Sequence, residues 1–342
     1  MLTVKTLQAG DAPRWDVFVH DCPEATFFHR AGWSTVLERA YGHRTHYLYA
    51  ERAGRIEGVL PLGHIKSRLF GNALISNPFC VYGGVAATEE AVAIQLEDAA
   101  AALASDLGVD YLELRNRQRQ REGWPVKQLY VSFRRSIDSD PEANLKAIPR
   151  KQRAMVRKGI NAGLVSCTDV DSDRFFAVYA ESVRNLGTPV FPKRYFQCLC
   201  DVFGEDCKVL TVTTPDGRAI SSVLSFYFRD EVLPYYGGGT PEARALKGYD
   251  FLYWELMRRA SEQGCRIFDY GRSKVGTGSY SFKKNWGFEP EPLPYQFHLV
   301  KAKQLPDVNP LNPKYQMFIK LWKKLPLPVA NRLGPLLSRS LG

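Results

Sequence analysis

Residues 233–270 read LPYYGGGTPEARALKGYDFLYWELMRRASEQGCRIFDY, and their pattern decides the fold. Leu233 to Tyr236 is a β-prone run that enters three glycines, Gly237, Gly238 and Gly239. Tyr249, Leu252, Tyr253, Leu256, Met257 and Ala260 then recur at i, i+3, i+4, i+7, i+8 and i+11, with Glu255, Arg258, Arg259 and Glu262 on the wet side. That is an amphipathic helix, and Gly264 stops it before a strand over 265–270. Upstream, 209–213 and 219–228 read as strands joined by a hairpin turn at Asp216-Gly217-Arg218.

The first half of the chain follows the same order. A strand over 47–50, a turn at Gly54-Arg55 and a returning strand over 56–65 lead to Tyr82-Gly83-Gly84. A helix follows, with Thr88 as N-cap, Glu89 and Glu90 in its first turn, and Val92, Leu96, Ala99, Leu103 and Leu107 at helical spacing until Gly108. A strand over 109–114 closes this arm. Two such arms predict an α+β protein with two mixed sheets flanked by helices. The expected domains are 1–135, 136–300 and a basic amphipathic tail over 301–342, with the join near Arg134 to Pro149, where Ser136 to Pro141 interrupts periodicity, and with the pattern lapsing at Pro306 to Pro310.

The chain has 342 residues, 45% of them hydrophobic, enough for two cores. Its formal charge of +10 suits a polyanionic partner, or simply a soluble basic surface. Seven cysteines form no disulfide framework, no segment resembles a secretion signal, and no apolar run approaches the roughly 18–20 residues of a membrane span. The expected compartment is the cytoplasm, with peripheral contact at the inner face of the membrane as an option. His43 and His46 lack a third ligand nearby, so no metal site is read, and Cys198, Cys200 and Cys207 read as core thiols. Neither a Gly-x-Ser-x-Gly elbow nor a P-loop supports hydrolase or NTPase chemistry.

Ligands of open α/β sheets gather at the carboxyl ends of strands, which places Asp269, Arg272 and the glycine-rich loop to Gly278 as candidates. Asp269 can orient or deprotonate an amine, or cap its own loop. Arg272 can hold a phosphate or carboxylate, or pair with Asp269. Tyr235, Tyr236 and Gly238 are further substrate-binding candidates; the two tyrosines alternate across a strand, so one faces the cleft and the other the core.

Tyr235-Tyr236-Gly237-Gly238-Gly239, the helix from Tyr249, Phe268-Asp269-Tyr270-Gly271, and Phe282-Lys283 before Trp286-Gly287 resemble, in that order, the C-terminal domain of Fem-type (FemAB-like) transferases. The basic run from Arg150 to Ile160, ending at Gly163-Leu164-Val165, looks like the helix that leads into that domain. The resemblance implies tandem N-acetyltransferase (GNAT-like) folds with the chemistry in the second. It also implies Lys283 as the cation facing a tetrahedral oxyanion, Phe282 excluding water beside it, and no permanently bound cofactor. The implied donor is an aminoacyl-tRNA or an acyl thioester, and the implied acceptor is an amine of an envelope or polysaccharide component. The ending, with Leu325-Pro326-Leu327-Pro328 and Leu333-Gly334-Pro335, looks like FemAB-like proteins associated with exosortase and PEP-CTERM systems.

Two departures shape the substrate. Arg244-Ala245-Leu246-Lys247-Gly248-Tyr249 lacks the spacing of an acetyl-CoA pyrophosphate loop. The basic residues used by relatives that modify nucleotide-linked peptidoglycan precursors are missing after Trp33 and before Pro192. The alternatives kept open are an acyl-CoA N-acyltransferase and a non-catalytic RNA-binding scaffold, with tRNA contact through Arg150 to Lys158. Over 315–342, Phe318, Leu321, Trp322 and Leu325 form an apolar stripe flanked by Lys320, Lys323 and Lys324, which either lies on anionic lipid or docks on the protein itself.

Overall fold

A computed structural model describes residues 1–67, 71–306 and 313–340. They form two compact units. Met1–Tyr130 joins the chain from Pro292 to 306 and from Ser338 onward; Val131–Glu291 joins the stretch from 313 to Leu337. The division differs from the expected 1–135, 136–300 and 301–342. The boundary falls inside the strand Val126–Ser136, and Gln296 to Leu299, on the strand Pro290–Leu299, pair with Leu114 to Tyr111 of the first unit. The segment Pro306 to Pro310, where the pattern lapses, lies from Asp307 on outside the described residues.

In the first unit, Leu2–Thr6, Leu48–Arg52, Arg55–Leu60 and Ala86–Ala87 form one antiparallel sheet. Leu62–Ser67 and Gly71–Ser76 are antiparallel, and Gly71–Ser76 runs parallel to Tyr111–Leu114. The helix Glu90–Leu107 crosses over between the last two and buries Val92, Leu96, Ala100 and Ala104 against Leu60, Leu74 and Leu112. The returning strand expected over 56–65 is split at Pro61 between two sheets, because proline brings no N–H to a ladder. Thr88 is not the N-cap: its hydroxyl and N–H both donate to Glu57 O (3.2 and 2.9 Å), and Glu89 takes the cap position.

In the second unit, Val165–Asp169, Cys207–Thr213, Ala219–Phe228 and Glu231–Gly239 pair antiparallel in that order. Glu231–Gly239 then runs parallel to Ile267–Asp269, which pairs antiparallel with Arg134 to Ser136. The crossover helix Gly248–Glu262 lies where its periodicity predicts. It buries more than the predicted stripe, because the helix Arg150–Asn161 covers a second side, with Gly159 packed on Phe251. Phe251 joins Leu252, Leu256 and Met257 in the core for that reason, and Trp254 is buried in the same cluster.

Successive glycines of the Gly237–Gly239 segment face opposite layers, as strand geometry demands. Gly237 and Gly239 abut Tyr253 and Tyr249 of the crossover helix, whereas Gly238 abuts Ser182 and Tyr179 of the helix Asp173–Leu186. A Cβ on Gly238 would come within 2.8 Å of Ser182 Cβ and 3.0 Å of Tyr179 Cα, neither of which can swing aside. Gly238→Val is therefore expected to destabilise the second unit by roughly 1–3 kcal/mol. Urea unfolding with an unchanged midpoint would contradict this.

Candidate functional site

The parallel ladder between Glu231–Gly239 and Ile267–Asp269 has two registered pairs, Glu231 with Ile267 and Val232 with Phe268. The pairing stops there, so the carboxyl-terminal part of Glu231–Gly239 runs on without that neighbour. At this point the chain leaves Ile267–Asp269 through Tyr270-Gly271-Arg272, enters the short strand Ser273–Lys274, and turns into the helix Gly278–Asn285. Thr277 caps that helix, its hydroxyl accepting from Tyr280 N at 3.4 Å.

Lys283 sits on the inner side of this helix and is 91% buried. Its ammonium donates to three backbone carbonyls in a row, Tyr270 O at 2.7 Å, Gly271 O at 3.0 Å and Arg272 O at 3.1 Å. A lysine has three N–H bonds, and three carbonyls take them. Burial pushes its pKa down to about 7; the carboxylate of Asp269 works against that shift and Arg272 adds to it. The carbonyl oxygens favour the charged form as well.

Asp269 is buried and holds the same loop through an N–H rather than a carbonyl. Its Oδ1 accepts from Gly271 N at 2.7 Å and from Ser132 Oγ at 3.4 Å. The first bond reaches two residues ahead, the local turn that aspartate makes readily. It holds Gly271 at a φ of 62°, where a side chain would be strained. Loop and strand end are thus fixed by two opposite charges, one on the carbonyls and one on an N–H.

The structure brings Lys283, Asp269 and the Arg272 backbone together. It distributes the other predicted residues differently. Phe282 packs on Tyr253 and Trp286 (5.5 and 6.0 Å between ring centres), whereas the rings nearest the ammonium are Phe133 at 5.7 Å and Tyr270 at 5.9 Å. Tyr235 and Tyr236 do not simply alternate. Leu224 pairs with Tyr236 and Ser225 with Pro234, so Tyr235 is the extra residue of a β-bulge beside a proline. Tyr236 is buried among Tyr179, Tyr195 and Phe196, with its hydroxyl 2.9 Å from that of Tyr195, and Tyr235 lies half-buried near Phe226.

Sequence reading missed Ser132 and Phe133, which reach the site from a strand some 140 residues upstream with no local motif to announce them. It also missed Asp250, whose buried Oδ1 accepts from Gln152 Nε2 at 3.0 Å and Trp286 Nε1 at 3.1 Å. Burial raises the Asp250 pKa. This carboxylate stands in the first turn of the crossover helix.

Residues 144–284 match the acetyltransferase (GNAT) domain family. No curated protein matches the chain in sequence. Among solved structures, FemX is 14% identical with a TM-score of 0.69, over 93% of this chain and 100% of that one. L-PGS from Bacillus licheniformis is 12% identical with a TM-score of 0.55, over 92% and 98%. A tandem GNAT protein from the clavulanic acid biosynthesis pathway is 14% identical with a TM-score of 0.54, over 90% and 100%. The chain has a tandem GNAT-like fold, and the stretch that matches the acetyltransferase domain family lies in its second half.

Proposed function

We propose that the second unit transfers an acyl or aminoacyl group from an activated carrier onto an amine of an envelope or extracellular-polysaccharide component. The amine nitrogen attacks the carrier's ester or thioester carbonyl, and a C–N bond forms. The C–O or C–S bond to the carrier then breaks, and the amine's proton leaves with the departing oxygen or sulfur. The observation that carries the reading is the doubly charged clamp on Tyr270-Gly271-Arg272, set where the parallel ladder stops inside the GNAT-matching segment.

Lys283 is a positioning residue in this scheme. Its N–H bonds are taken by the loop, and it acts by holding that loop, and the Arg272 carried on it, in one geometry. Arg272 is the group we assign to a phosphate or carboxylate of the donor. Fixed geometry matters because misplacing a reacting group by about 1 Å can cost some 100-fold in rate.

Asp250 bears on the donor. Helix amino ends favour anions, but here the first turn already holds a buried carboxylate, and Gly248 is packed against Ala243 and Ile220. A pyrophosphate at that end would meet like charge. We therefore favour a carrier that is not gripped there. Aminoacyl-tRNA suits the charge of +10 and the exposed Arg150, Lys151, Arg157 and Lys158 of the helix Arg150–Asn161.

Calorimetric titration with acyl-CoA thioesters and with charged and uncharged tRNA tests this. The expected result is preference for charged over uncharged tRNA, weakened about tenfold or more by Arg272→Ala. Equal binding of charged and uncharged tRNA, with no thioester binding, would make the chain a scaffold; preference for a CoA thioester would support the acyl-CoA reading instead.

A further inference from the structure

The last two described helices, Pro313–Trp322 and Leu327–Ser338, are each seated by one face. Trp322 and Ala330 are buried, and Ile319 packs on Gly187. Gly334 lies so close to Val190 that a Cβ there would come within 2.8 Å of its backbone nitrogen, and Arg184 donates to Leu325 O at 3.4 Å. The half of the tail stripe that includes Trp322 thus docks on the protein.

The other half does not. Met317, Leu321 and Leu336 are 66%, 62% and 66% exposed, and Phe318, Val329 and Leu333 are exposed as well. Val329, Leu333 and Leu336 stand at i, i+4 and i+7, and Met317 and Leu321 at i and i+4, so each helix shows water a continuous apolar edge. Lys320, Lys323, Lys324 and Arg332 are exposed among these side chains, and no Asp or Glu occurs between Pro313 and Ser338.

From this juxtaposition we infer that the two tail helices form a peripheral binding face for an anionic lipid bilayer. The apolar side chains would enter the boundary between headgroups and acyl chains, and the lysines would meet lipid phosphates. Neither helix is long and apolar enough to cross a membrane. Because the helices are already seated, binding does not have to fold them, unlike a free amphipathic tail. A second copy of the chain is the poorer occupant, since every charge on one face would oppose the same sign on the other. The inference does not depend on the proposed transfer reaction.

Co-sedimentation of the full chain with vesicles of phosphatidylcholine, alone or mixed with phosphatidylglycerol, tests it. Binding is expected only with the mixed vesicles. It should fall about tenfold or more in the triple variant M317S/L321S/L336S and again in K320Q/K323Q/K324Q. Thermal unfolding should be unchanged, because the altered side chains face water. Equal binding to uncharged vesicles, undiminished binding by both variants, or failure to sediment with either vesicle would overturn the inference. The last result together with dimers in light scattering would assign the face to self-association.

Discussion

Lys283→Met is expected to reduce transfer about 100-fold or more and to lower stability by roughly 1–3 kcal/mol. Methionine nearly fills the same space but leaves three adjacent buried carbonyls without the donor they now share. Lys283→Arg should not restore function, because a planar guanidinium cannot direct N–H bonds from a single atom toward three converging carbonyls. Amide hydrogen exchange over residues 270–274 should quicken in the methionine variant, a readout that needs no substrate.

The same lysine gives a pH signature of two opposite signs. In the fold its pKa is about 7, against an ordinary value of 10.5. Between those values the unfolded chain holds a proton that the native chain has released, so this group makes the protein more stable as pH rises across the window. Transfer should decline over the same window, since a neutral amine offers two N–H bonds to three carbonyls. Lys283→Met should flatten both trends. A transfer rate that climbs with pH above 7 in the wild type and falls only in the variant would refute the clamp role.

Asp269→Ala is the second large effect. Alanine removes the acceptor for Gly271 N and Ser132 Oγ, so a loss of roughly 1.5–3 kcal/mol is expected, with transfer falling alongside as Gly271 leaves its positive φ. Asp269→Asn should keep most of both properties, because its amide oxygen can accept the same bonds. An asparagine variant as inactive as the alanine one, yet as stable as the wild type, would instead give the carboxylate a proton-transfer role. Since Lys283 and Asp269 fix one loop, the double variant should cost less than the sum of the two.

The fold was legible wherever a local period carried it. The helix Gly248–Glu262 and the strand Ala219–Phe228 lie where spacing and turn residues put them. The misreadings share a cause, which is pairing that local spacing does not encode. Pro61 turns one expected strand into two, and the bulge at Tyr235 breaks the alternation on which the tyrosine assignment rested. The strand Pro290–Leu299 was not read at all: Pro290, Pro292 and Pro294 argue against a ladder, and its pairing with Tyr111–Leu114 begins only at Gln296. At the site, the residue types at Asp269, Arg272 and Lys283 were visible from the chain. What Lys283 donates to was not, because that depends on where three carbonyls point.

The most direct test is mass spectrometry of envelope and polysaccharide fractions from cells that lack the protein, carry it, or carry Lys283→Met at matched abundance. The expected result is an amine-bearing component heavier by one acyl or aminoacyl group in cells with the wild-type chain only. Identical spectra across all three, or a methionine variant that modifies the component as fully as the wild type, would contradict transfer at the clamped loop.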